Sequence, residues 1–394
     1  MTRITLWGAW YESKNAGDQA ILMAIAAQLA SRIQDLHLTV FSNRSLVTDD
    51  VLRSVRCSNL RYKIVSQRKE FMVAVNELRK SHMFLVGGGT PIYNDRFHLF
   101  ALLVLVGIAR ICGVRVMTYA ISARPVNDYW ARLFCRLALR LIPLITLRES
   151  DSLPIIQELL AAANSKVEVY VDPAVAYPYA SVSVPSDVQR YVSSANAQDR
   201  PLIAICPHFF TANDDYHVHH YERYEPSKIE NYYEALARVC DQLTRRSRLL
   251  FLPMNVEEPD SDLTAIQSIL ERMTHPEDVF PVMGELSPEQ IVGLLRSCEL
   301  VVGSRLHSLI FASVARTPMI AISYGPKISG FMDKLGFRSQ THTLAELNAS
   351  SLWRSVERAW NDREALRRKL SSVMSELEHL ASQNAARATH LVTR

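Results

Sequence analysis

Short apolar runs alternate along the chain with longer stretches in which apolar positions recur every three or four residues. Ile4–Trp7, Leu36–Ser42, Met83–Val86, Val114–Ala120, Leu144–Leu147 and Val167–Val171 read as strands. Between the first two, Ile21, Ile25 and Leu29 recur at a spacing of four and mark a helix with one buried stripe. Phe97–Cys112 reads as a buried helix. The apolar period fades between Tyr177 and Arg200, where Ser, Ala, Pro and polar residues accumulate, and an inter-domain linker is expected there. A second alternation follows. Leu202–Cys206, Leu249–Leu252, Leu300–Gly303 and Met319–Ser323 read as strands. Ile229–Arg246, Asp262–Met273, Ser287–Ser297 and Leu306–Ala315 read as helices, and Leu352–Ala381 as one or two more. Strands separated by helices predict parallel sheets covered on both faces. The fold class expected is α/β, with two Rossmann-like domains facing a cleft. Their bounds are 1–178 and 200–394, with the C-terminal helices packing back across the linker. In such sheets ligands sit beyond the carboxyl ends of the strands.

Composition narrows the class. With 394 residues, 48% apolar and 21% charged, the chain is neither disordered nor a disulfide scaffold. A net charge of +4 is too small to argue for nucleic acid and leaves room for an anionic substrate or membrane surface. The six cysteines are scattered with no CxxC pair, so no zinc or redox motif is visible and reduced core thiols are expected. No signal peptide is read, because Met1–Trp10 patterns as a buried strand. The longest apolar run, Leu99–Ala109, falls short of the ~18 residues that span a bilayer. The expected location is the cytoplasm, with a contact at the inner face of the membrane allowed.

The segments that carry chemistry follow strands. After Val301-Val302-Gly303, Ser304 can cap the next helix, and Arg305 and His307 fall in its first turn, beside unpaired backbone N–H groups and the positive end of the dipole. An arginine fork and an imidazole there suit phosphate and carboxylate. The competing reading is a salt bridge to a core carboxylate beside a buried histidine. Ser323-Tyr324-Gly325-Pro326-Lys327 places a second cation after the next strand, or a solvated lysine opening a helix. Gly87-Gly88-Gly89 would let a backbone approach a ligand or form an N–H nest, and equally would make a plain tight turn. It fits neither the Walker nor the dinucleotide spacing. Asp18 reads as a helix cap or a functional carboxylate, and Arg148 as a ligand or a surface ion pair. Asn94 and Asp95 could bind hydroxyls. The stretch 207–224 holds His208, His217, His219 and His220, and reads as a polar, aromatic loop lining a sugar site rather than a metal site.

These residues add up to a resemblance. Asn15-Ala16-Gly17-Asp18-Gln19-Ala20-Ile21, Val86-Gly87-Gly88-Gly89, Arg148-Glu149-Ser150 and Gly303-Ser304-Arg305-Leu306-His307-Ser308-Leu309-Ile310 are similar to the motifs of the polysaccharide pyruvyl transferases. The last motif runs on through Thr317-Pro318 and Ser323-Tyr324 to Lys327 and Gly330-Phe331. The resemblance implies a fold similar to the B-type glycosyltransferases, with the acceptor on the N-terminal domain and phosphoenolpyruvate on the C-terminal one. It implies a pyruvate ketal formed on a sugar of a polysaccharide or its precursor, with release of phosphate. Arg305, Lys327, Arg148 and Ser304 would hold the donor. His307 would protonate its C3, since an imidazole titrates near neutrality. Asp18 would take the sugar proton. Asn15, Gly88, Gly89, Asn94, Asp95 and His208 would line the acceptor.

No cofactor or metal is expected, phosphoenolpyruvate being a co-substrate. The partners expected are phosphoenolpyruvate and a sugar or lipid-linked oligosaccharide, not nucleic acid; a homo-oligomer is allowed but not determined. For a lipid-linked acceptor, the basic and apolar stretch Arg96–Arg140 would face the membrane, the competing reading being a buried helix pair. Two alternatives stand beside this reading. One is a glycosyltransferase of the same architecture using a nucleotide sugar, with Glu257, Glu258 or Asp260 on the ribose or base. The other is a non-catalytic scaffold of exopolysaccharide assembly.

Overall fold

The computed structural model describes residues 1–8, 10–161, 164–210 and 225–393. The chain forms two units. The first comprises Met1–Ser13, Asp18–Tyr177 and the chain from Leu377 onward; the second comprises Lys14–Gly17 and Pro178–Glu376.

The first unit alternates strand and helix: β1 (Thr2–Trp7), α1 (Ala16–Ala30), β2 (Leu36–Phe41), α2 (Ser45–Ser54), β3 (Leu60–Val65), α3 (Phe71–Arg79), β4 (Met83–Gly87), α4 (Arg96–Ile111), β5 (Arg115–Tyr119), α5 (Tyr129–Arg140), β6 (Leu144–Leu147), α6 (Ser152–Leu160) and β7 (Lys166–Val169). The seven strands form one parallel sheet in the order β3-β2-β1-β4-β5-β6-β7. The chain runs outward from β1 to β3, crosses back, and runs outward again from β4. The switch between β1 and β4 is where such sheets open a crevice. Ile4 and Leu6 on β1 and Ile21, Ile25 and Leu29 on α1 are fully or almost fully buried, as the apolar stripe predicts.

The second unit continues with α7 (Ser186–Ala197), β8 (Leu202–Cys206), α8 (Pro226–Leu243), β9 (Arg248–Phe251), α9 (Asp262–Leu270), β10 (Val279–Pro281), α10 (Pro288–Arg296), β11 (Leu300–Gly303), α11 (Leu306–Ala315), β12 (Met319–Ser323), α12 (Pro326–Lys334), β13 (Thr341–Thr343), α13 (Ala349–Asn361) and α14 (Arg363–Thr393). Its six strands are parallel in the order β10-β9-β8-β11-β12-β13. The end of α14 belongs to the first unit, where Arg387 donates to both carboxylate oxygens of Glu168 on β7 at 2.9 and 2.8 Å.

Several elements differ from the sequence reading. The stretch expected as linker contains α7, whose Val188, Tyr191, Val192 and Ala195 are buried at helical spacing. The helix α4 forms where its pattern predicts, but only one face is buried (Leu99, Leu102, Leu105, Val106, Ala109), while Phe97 and Phe100 are exposed. No described helix is long and apolar enough to cross a membrane.

Candidate functional site

In the second unit, β8, β11 and β12 lie side by side with Gly303 level with Cys206 and Ala321. Their carboxyl ends therefore release three segments at one edge. A Cβ on Gly303 would lie 2.5 Å from Ser308 Oγ, so only glycine lets α11 turn back this tightly. Ser304 does not cap α11, contrary to the expectation from its position. Instead Arg305 is the N-cap residue, with no side-chain cap, and Ser304 turns inward. The Tyr232 hydroxyl on α8 accepts from His208 N–H at 2.9 Å and donates to Ser304 Oγ at 2.8 Å. Burial pushes the Tyr232 phenol well above its usual range, so it stays a donor.

Arg305 is the hub of a closed network. Its Nε and Nη2 donate to Asp262 Oδ1 at 3.0 and 2.8 Å, Nη1 to Asp260 Oδ2 at 3.0 Å, and Nη2 to the Asp260 carbonyl at 2.9 Å. Asp262, fully buried, also accepts from Met254 and Asn255 N–H at 3.0 Å each. Burial pushes the Asp262 carboxyl up, but the Arg305 charge and the contacts from His208 and Arg305 together outweigh it and hold the group below its ordinary value. Burial works against the Arg305 charge too, and the Asp260 and Asp262 carboxylates outweigh it. The salt-bridge reading of Arg305 is therefore the one its contacts show.

His208 is fully buried, its ring 4.5 Å from Phe210 and 4.7 Å from Tyr324, with Nδ1 3.7 Å from Asp262. Burial, reinforced by Arg305, lowers its pKa to about 4, so it is neutral. The sequence reading puts it at the acceptor; in the structure it is packed into this network. His217, His219 and His220 lie outside the described residues.

Two groups at this edge are held differently. Lys327, in the first turn of α12, stands 5.0 Å over the Tyr324 ring, and no described carboxylate pairs with it. His307, in the first turn of α11, is partly exposed and packs against Gly17 of the Lys14–Gly17 segment. A Cβ on Gly17 would collide with the imidazole. That segment is fastened by a bridge between Asn15 and Asn255 and by Ala16 N–H donating to the Met254 carbonyl at 2.8 Å. Asn15, expected at the acceptor, has its Oδ1 on Gly17 N–H at 2.9 Å, the capping role that the sequence reading gives to Asp18.

The first unit holds a separate set. Gly88 and Gly89 have φ of +58° and +63°, and a Cβ on Gly88 would overlap Ile21. Gly88 N–H donates to the Tyr119 carbonyl at 2.8 Å, so this N–H is used within the turn. Arg148, buried, donates to Asp172 at 2.8 Å and Ser122 at 2.6 Å. Asp18 accepts from Ser13 Oγ at 3.0 Å. Asn94 accepts from Asn127 and Asp128 N–H, and Asp95 caps α4, so both serve backbone. Among the described residues, no group of three or more His, Cys, Asp or Glu is placed to hold a metal. Sequence reading missed Asp262 and Tyr232; Ser261-Asp262 opening a helix reads as an ordinary cap, and Tyr232 as core.

Two parallel, doubly wound sheets, with polar and charged residues gathered after the strands, define a B-type glycosyltransferase architecture. A family model described as polysaccharide pyruvyl transferase matches residues 15–326, and the chain belongs to that family. It is similar to the amylovoran biosynthesis protein AmsJ of Erwinia amylovora, 28% identical over 95 residues, which cover 24% of this chain and only 23% of that protein. Among solved structures it is similar to a glycosyltransferase from Rickettsia africae (9% identity, 100% and 99% of the two chains, TM-score 0.62). It is also similar to Staphylococcus aureus MnaA with UDP (12% identity, 94% and 91%, TM-score 0.57). At these identities the structures speak for the fold.

Proposed function

We propose that the protein transfers the pyruvyl group of phosphoenolpyruvate to two hydroxyls of one sugar, forming a ketal and releasing phosphate. The observation that carries this reading is the pairing of His307 and Lys327 at the starts of α11 and α12, which follow adjacent strands. Two helix N-termini with a lysine suit a ligand bearing both a phosphate and a carboxylate. His307 delivers a proton to C3, and C2 becomes electrophilic. A sugar hydroxyl attacks C2, and its proton passes to water. The C2–O bond to phosphate breaks, and the second hydroxyl closes the ring, its proton leaving with phosphate. Arg305 is a positioning residue: by neutralising Asp260 and Asp262 it fixes the segments on which Ser304 and His208 sit.

The nucleotide-sugar alternative calls for carboxylates near the second sheet. Asp260 is engaged by Arg305, and Glu257 accepts from Lys14 N–H at 3.1 Å. The test is incubation with phosphoenolpyruvate and a panel of acceptor glycans, following phosphate release and ketal formation by NMR. Ketal formed by the native chain and lost about 10²–10⁴-fold in His307→Gln supports the reading. Turnover of a nucleotide sugar, with phosphoenolpyruvate untouched, overturns it.

A further inference from the structure

The first unit carries a surface that its own packing does not explain. α3 packs on α4 and α4 on α5 in one layer over the sheet. Each helix starts beyond the carboxyl end of the strand before it, so the three starts lie along one edge. That edge is unusually apolar. Phe71 and Met72 on α3, Phe97 and Phe100 on α4, and Tyr129 and Trp130 on α5 are 47–75% exposed. Phe134 joins the last two helices, with its ring 5.2 Å from Phe100 and 6.1 Å from Trp130. Among the described residues, fourteen large apolar side chains are strongly exposed, and seven of them lie in the first two turns of α3, α4 and α5. Such clustering marks an interaction surface, where scattered exposure would not.

Charge selects the partner. α4 and α5 carry no acidic residue, and of their five arginines Arg96 and Arg132 lie in the first turns. Their capping carboxylates, Asp95 and Asp128, are bound to backbone N–H groups. Arg96 lies 5.0 Å over the Phe97 ring, and Arg132 pairs with Glu158 on α6. Aromatic side chains with Tyr and Trp among them, flanked by arginine, match the headgroup layer of a bilayer.

We propose that the starts of α3, α4 and α5 dock the protein peripherally on an anionic phospholipid bilayer. Phe97, Phe100 and Trp130 enter the headgroup layer and Arg96 meets lipid phosphate. This is independent of the reaction assigned above. The test is co-sedimentation of the full chain with vesicles of phosphatidylcholine alone or mixed with phosphatidylglycerol, at low and high salt. The variants are Phe97→Ser/Phe100→Ser/Trp130→Ser and Arg96→Glu/Arg136→Glu, with thermal melts to confirm folding. Binding to the mixed vesicles that weakens with salt and falls at least about tenfold in both variants is the expected result. Equal sedimentation with both vesicle types, or variants that bind like the native chain, overturns it. So does a dimer seen by ultracentrifugation, lost in the triple variant, with no vesicle binding; the occupant would then be a second copy.

Discussion

Asp262 joins segments of the second unit that lie far apart in the sequence. Its carboxylate meets Arg305 and three backbone N–H groups with no solvent contact. Arg305→Ala therefore strands a buried charge and is expected to cost about 3–5 kcal/mol, read by urea denaturation. Arg305→Lys recovers little of this, because an ammonium cannot span Asp260 and Asp262 as the fork does. A loss below ~1 kcal/mol in Arg305→Ala would contradict the network. Gly17→Ala is a sharper probe of the site: its methyl collides with the His307 ring, so ketal formation should fall while urea stability changes less than in Arg305→Ala. At this scale the sequence exposed the cations and hid their partners. Arg305 stands in a motif, whereas Asp262 lies 43 residues away at the start of a helix, where an acid is commonplace.

At the scale of elements, the strand–helix units with long apolar runs were readable, because a strand buried on both faces leaves a continuous signature. The missed strands lie at sheet edges. β3 alternates exposed Arg61 and Lys63 along the sheet edge, so it has no apolar run. β10 and β13 are three-residue edge strands. The glycine turn after β4 was readable as special, but the residues left nest and tight turn equally open. Its left-handed φ values and its contact with Ile21 predict that Gly88→Ala destabilises the chain by about 1–3 kcal/mol or more, checked by thermal melting. An unchanged melting temperature would show that the turn tolerates a side chain.

At the scale of the molecule, stability should fall in mild acid. An unfolded histidine takes up a proton near pH ~6.5, whereas burial delays protonation of His208 and of His98 to about 4. Between those values the unfolded state binds more protons, so the contribution is complete above about 6.5 and is lost as pH drops toward 4. Asp262, held low, adds a further loss only below its ordinary range. Urea midpoints should thus drop between roughly pH 7 and pH 5, and His208→Gln should flatten part of that slope. A slope unchanged in that variant would assign the effect elsewhere.

The central claim is that phosphoenolpyruvate is bound at the starts of α11 and α12. Isothermal titration tests it directly, with phosphoenolpyruvate and a panel of nucleotide sugars injected into the native chain and into Lys327→Ala. Phosphoenolpyruvate should bind the native chain, and binding should weaken at least about tenfold in Lys327→Ala, a loss of about 1.4 kcal/mol. Nucleotide sugars should give no heat. A nucleotide sugar that binds the native chain where phosphoenolpyruvate does not would contradict the claim.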